Sequence, residues 1–118
     1  MAVTSTPAAA AQLRSFDTRA FAAAQAQGRP ILVDVSAEWC STCRVQEKHI
    51  AKITRDSAFV KLVIFKLDYD KQKAERRQLK VPRQSTLIAF RGRREMGRSV
   101  ADTNPRSLEA LIRKAMGR

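Results

Sequence analysis

Between Ile31 and Ser36 the chain reads ILVDVS, and AEWCSTCR follows at once. A short run of mostly β-branched, apolar residues without polar alternation marks a strand buried on both faces. Such a strand belongs in the middle of a sheet, so other elements must cover it on each side. Two features set the stretch apart. Asp34 puts a carboxylate where a core residue belongs, and the only two cysteines, Cys40 and Cys43, lie just beyond.

The flanking sequence supplies the other elements. "DTRAFAAAQAQ" predicts a helix, with Asp17 as N-cap, Phe16 as a staple before it, and Gly28 and Pro30 as its stop. A second helix is expected from about Trp39 to Asp56, with Val45, Ile50 and Ile53 on its faces. "FVKLVIFKLDYD" (Phe59–Asp70) reads as a central strand interrupted by Lys66 near its end. "DKQKAERRQLK" is polar and helix-prone. "STLIAFRGRREMGRSV" predicts a hairpin turning at Arg91-Gly92-Arg93. The last helix opens on Asn104 as cap with Pro105 at its first position, and lines Leu108, Leu111, Ile112, Ala115 and Met116 along one face. Strands joined through helices pair in parallel and hairpin strands antiparallel. The expected fold is therefore α/β, a small mixed parallel/antiparallel sheet with helices on both faces.

With 118 residues the chain suits one domain. Residues 1–13 are expected to form a flexible tail and residues 14–118 the domain. No apolar run reaches the length of a membrane span. As written the chain reads as soluble and cytoplasmic. The small-residue "PAAAA" resembles the end of a signal peptide, so a periplasmic or secreted form is the alternative if Met1–Gln12 is its remnant. The net charge is +12, and residues 71–118 carry fourteen Lys/Arg against four Asp/Glu. That basic half is either a solvated face or an attraction for acidic protein surfaces. Seven aromatics and no recognition motif argue against nucleic acid.

Cys40 and Cys43 end a strand and open a helix, one turn apart and within reach of a disulfide. The partial positive charge of a helix N-terminus favours a thiolate, so Cys40 is expected to be the nucleophile, with a lowered pKa. Cys43, deeper in the helix, is expected to be the resolving thiol. Asp34, raised by burial, suits the base that deprotonates it. Lys66, on the neighbouring strand, is expected to be buried and to moderate that shift. Asp34 and Lys66 read equally well as a structural ion pair. Two further readings of the cysteines are inert core packing and zinc. One CxxC and a single histidine, His49, do not complete a four-ligand site in one chain, so only a metal-bridged dimer would serve.

"ILVDVSAEWCSTCR", "FKLDYD" and "LKVPRQSTLIAFRGRRE" together resemble the thioredoxin family, from about Phe16 to the C-terminus. The resemblance implies a thioredoxin-like fold and thiol–disulfide exchange with protein disulfides, fed by a dithiol donor. It calls for no cofactor and no metal, and implies a monomer. It assigns Cys40, Cys43 and Asp34 to catalysis and Lys66 to support. Trp39, Gln84, Ser85 and Thr86 fall at the substrate-binding surface. Two departures stand out. Ser41-Thr42 replaces the family's Gly-Pro between the cysteines, and Ser85 occupies the place of its cis-proline, Pro82 lying three residues too early. The bond before Ser85 is expected to be trans, or cis under strain, and its hydroxyl is free to serve the Cys40 thiolate. The rival functions are a redox-insensitive binding module using the basic half, and the metal-bridged dimer.

Overall fold

Alternating side chains on the central strand set the whole architecture. The computed structural model describes residues 10–118. In chain order they form β1 (Gln12–Ser15), α1 (Thr18–Ala26), β2 (Pro30–Ser36), α2 (Ser41–Ile53), a 3₁₀ turn at Ser57–Phe59, β3 (Val63–Asp68), α3 (Lys73–Gln78), β4 (Thr86–Arg91), β5 (Arg94–Val100) and α4 (Pro105–Ala115). The sheet order is β1-β3-β2-β4-β5. β1 and β2 both run parallel to β3, and β4 runs antiparallel to β2 and β5.

Ile31, Val33 and Val35 of β2 face one side, where they join Phe16, Phe21 and Ala24 from the α1 region. Leu32 faces the other, with Ile50 of α2 and Leu108, Leu111, Ile112 and Ala115 of α4. The mixed sheet with helices on both faces is thus as expected. The helix ends also follow their sequence signals. Asp17 accepts from the Ala20 N–H at 2.9 Å, and Asn104 accepts from the Arg106 N–H at 2.9 Å.

Several boundaries differ from expectation. Residues 12 and 13, assigned to the tail, begin β1, and residues 1–9 lie outside the described residues. The signal in QLRS was hidden because an edge strand exposed along its length has no apolar alternation. β3 starts at Val63, since Phe59 belongs to the 3₁₀ turn capped by Asp56. α2 is shorter at both ends, and Val45 on it is exposed. Among the described residues no helix is long and apolar enough to cross a membrane.

Phe65 lies fully buried on β3, with its ring 5.9 Å from those of both Phe16 and Phe21. Phe65→Ala is expected to cost about 3–5 kcal/mol in denaturant unfolding. Leu13→Ala, at a residue 67% exposed on β1, should cost under ~0.5 kcal/mol.

Candidate active site

β2 ends at Ser36 and the chain turns through Ala37, whose carbonyl accepts from the Cys40 N–H at 3.1 Å. Cys40 is the N-cap of α2, and its sulfur accepts from the Cys43 N–H at 3.1 Å. The two residues form a disulfide with a Cα–Cα separation of 5.3 Å. No acidic side chain occupies the first turn of α2, so the helix's own first turn does not offset its positive end at the sulfurs. Both cysteines are buried, Cys40 at 3% exposure and Cys43 at 1%. Ala37 and Tyr69 pack around them.

Ser85 closes the site from the opposite side. The bond before it is trans, as among all described residues. Its φ is +65°, a left-handed conformation that costs a non-glycine residue about 1–2 kcal/mol. Hydrogen bonds on every backbone group hold it there. Its N–H donates to the Val35 carbonyl at 2.8 Å, and its carbonyl accepts from the Ala101 N–H at 3.0 Å and from Gln46 Nε2 at 3.1 Å. The hydroxyl is left facing the disulfide, 3.2 Å from Cys40 Sγ and 3.3 Å from Cys43 Sγ.

The four residues expected at the substrate surface divide into two kinds. Trp39 is 59% exposed beside the cysteines, its Nε1 donating to Asp70 at 2.8 Å, and Gln84 is half-buried. Ser85 and Thr86 are wholly buried. The Thr86 hydroxyl donates to the Arg83 carbonyl at 2.6 Å, so with the disulfide closed its side chain offers nothing to a substrate.

Asp34 is buried, as its position in the apolar strand requires, and its Oδ1 has no hydrogen-bond partner. Burial pushes its carboxyl from 3.8 up to about 7, with the nearby Glu47 carboxylate adding to the rise and the Lys66 ammonium opposing it. Lys66 is not buried, contrary to expectation. It stands opposite Asp34 in the β2–β3 register, but its side chain is half exposed. Its Nζ lies 3.2 Å from Glu47 Oε2. A flexible lysine stem near the end of a strand can carry its charge to solvent, where ionisation costs less. Glu47, which sequence reading missed, also accepts from the Ser36 hydroxyl at 3.0 Å. Its place on α2 four residues after Cys43, on the same helix face, is the signal that could have found it. A cleft of about 360 Å³, lined in part by Leu13, Ile50 and Ile64, leads to Asp34, Glu47 and Lys66.

The basic half is partly occupied with its own fold. Arg98 pairs with Glu95, Arg113 with Glu109, and the Arg76 guanidinium lies 3.9 Å over the Tyr69 ring. Among the described residues, no three His, Cys, Asp or Glu side chains cluster as a metal site would need.

Comparison with known proteins agrees with this geometry. The thioredoxin family model matches residues 12–114. A thioredoxin of Chlamydia muridarum is 35% identical over 84 residues, 71% of this chain and 80% of that protein. The crystal structure of Trxlp from Edwardsiella tarda superposes with a TM-score of 0.83 at 39% identity, covering 86% of this chain and 98% of that one. Oxidised mitochondrial thioredoxin 3 of Saccharomyces cerevisiae, at 20% identity and a TM-score of 0.73 over 86% of this chain and 93% of its own, shares the fold. The chain therefore belongs to the thioredoxin family of thiol–disulfide oxidoreductases, with Cys40 and Cys43 as its redox pair.

Proposed function

We propose that Cys40 attacks protein disulfides, that Cys43 resolves the product, and that Asp34 takes the proton of Cys43. The observation that carries this reading is the Asp34 carboxyl, buried on the strand behind the CxxC turn and titrating at about 7, with its Oδ1 lacking a hydrogen-bond partner. The Cys40 thiolate bonds to one substrate sulfur and the other leaves as a thiolate. Cys43 then gives its proton to Asp34 and attacks Cys40 Sγ. The Cys40–Cys43 disulfide forms, and the second substrate thiolate departs. Two electrons pass from the dithiol to the substrate, and a dithiol donor restores them.

The other side chains have supporting roles. The Ser85 hydroxyl donates to the Cys40 thiolate once the pair is reduced. A hydrogen bond to the charged form lowers a pKa, and this one adds to the effect of the helix end. Trp39 and Gln84 line the face on which the substrate docks. Lys66 moderates Asp34 from the edge and neutralises Glu47, and the cleft between them gives the accepted proton a way to solvent. Arg76, held on Tyr69 next to the cysteines, favours substrates with acidic residues near their disulfide. The chain acts as a monomer.

Insulin-disulfide reduction with a dithiol donor tests the roles. Cys40→Ser should abolish turnover, and Cys43→Ser should accumulate a mixed disulfide with substrate on Cys40. Turnover that survives Cys40→Ser would overturn the assignment.

Asp34 makes two further outcomes measurable. As a general base it must be ionised, so resolution should quicken as pH rises through about 7. Asp34→Asn should slow resolution on the order of 10²-fold at pH 7 and shift its rise toward the thiol's own titration. Rapid-quench analysis of the mixed disulfide reads both.

Stability carries the opposite sign. Between about pH 4 and 7 the folded protein keeps a proton on Asp34 that the unfolded chain releases. Asp34 therefore lowers stability progressively as pH rises through that window. The shift from 3.8 to about 7 corresponds to ~4 kcal/mol. A buried Asn amide gives part of that back through its own unmet hydrogen bonds. Asp34→Asn should thus stabilise the oxidised protein by ~2 kcal/mol at pH 8 and destabilise it by ~2 kcal/mol at pH 4, where the Asn penalty stands alone, as denaturant titrations at the two pH values would show.

A further inference from the structure

Gln46 is wholly buried on α2, one turn beyond Cys43. A polar side chain in that place is costly, and here the cost is only partly met. Its Oε1 has no partner, whereas its Nε2 donates twice, to the Ser85 carbonyl at 3.1 Å and to the Asp102 carbonyl at 2.9 Å. The amide can face only this way, because a flipped group would set its oxygen against two carbonyl oxygens. An apolar side chain of the same size would fill the space without the unmet acceptor. What glutamine alone supplies is the pair of N–H groups.

Those groups join three separate pieces of chain. α2 carries the cysteines, Ser85 lies in the loop before β4, and Asp102 lies in the connection between β5 and α4. The same connection reaches Ser85 a second time through the Ala101 N–H. Asp102 is itself fixed, since its Oδ1 accepts from the Asn104 N–H at 2.9 Å. The Ser85 carbonyl is thus gripped by two donors while its N–H is held by Val35. With the backbone held on both sides of a positive φ, the Cα–Cβ bond is aimed at the disulfide, and the rotamer that brings the hydroxyl to 3.2 and 3.3 Å from the two sulfurs depends on that aim.

We infer that Gln46 is a positioning residue for the redox step, locking the Ser85 hydroxyl against the cysteine sulfurs from the helix that carries them. The inference rests on the reading of Ser85 as a donor to the Cys40 thiolate. Gln46 touches neither sulfur in any hydrogen bond and acts through Ser85. Attack on the substrate disulfide, for which Cys40 must stand as a thiolate, is the moment when an unlocked hydroxyl would fail to follow.

A double-mutant cycle on the reduced protein tests this, with the acidity of Cys40 as readout, from the pH dependence of iodoacetamide alkylation and of thiolate absorbance at 240 nm. Ser85→Ala and Gln46→Met should each lower the acidity constant of the Cys40 thiol about tenfold. Alkylation below the pKa should slow only about threefold, because the more basic thiolate is the better nucleophile. The double variant should match Ser85→Ala alone. An unchanged acidity in Gln46→Met, with a shift in Ser85→Ala, overturns the positioning role and leaves the Ser85 reading intact. Shifts that add in full show that Gln46 works by another route and also overturn it. No shift in Ser85→Ala removes the Ser85 reading and the inference with it. Gln46→Leu provides a second apolar replacement if the methionine variant does not fold.

Discussion

Hydrogen bonding of β2 on both edges, to β3 and β4, is the constraint on which everything else rests. A strand paired on both sides and covered on both faces can reach the surface only at its ends. Its C-terminal end is where the chain turns from Ser36 into α2, so the cysteines emerge where the sheet stops and the helix begins. The same end of β2 offers the Val35 carbonyl, which takes the Ser85 N–H and brings the facing loop to the sulfurs. A change that weakened β2 would loosen both halves of the site together.

The electrostatics follow from the same strand. Period-two alternation places Asp34 on the α2 side of the sheet with Leu32, away from the phenylalanine cluster. There it meets Glu47 and Lys66, each of which reaches toward solvent. The exposed members of the group carry their charge at small cost, and the buried one bears nearly all of the desolvation. The site concentrates its electrostatic penalty on a single carboxyl, the one we propose as the proton acceptor.

Much of this was legible in the sequence, for identifiable reasons. The cysteines, Asp34, the hairpin turn and the caps at Asp17 and Asn104 are written in local signals of spacing, burial and turn chemistry. Lys66 was misjudged because sequence position gives the strand but not how far a four-carbon stem can reach. β1 escaped because pairing at an edge needs no apolar residue. Glu47 and Gln46 look like ordinary polar residues of a surface helix. Only the packing of α2 against Ser85 and Asp102 turns Gln46 inward. Contacts between residues 39 and 56 positions apart leave no trace in a single sequence.

The backbone at Ser85 has a consequence for how this chain can diverge. The N–H that binds Val35 does not exist in proline, and the positive φ lies outside the range a pyrrolidine ring permits. Proline therefore cannot be accommodated here by one substitution, since the loop's tie to β2 uses the amide hydrogen that proline lacks. Serine at this position is thereby held by its neighbours on both sides of the peptide. An exchange for proline requires the loop, its tie to β2 and the donors on its carbonyl to change together.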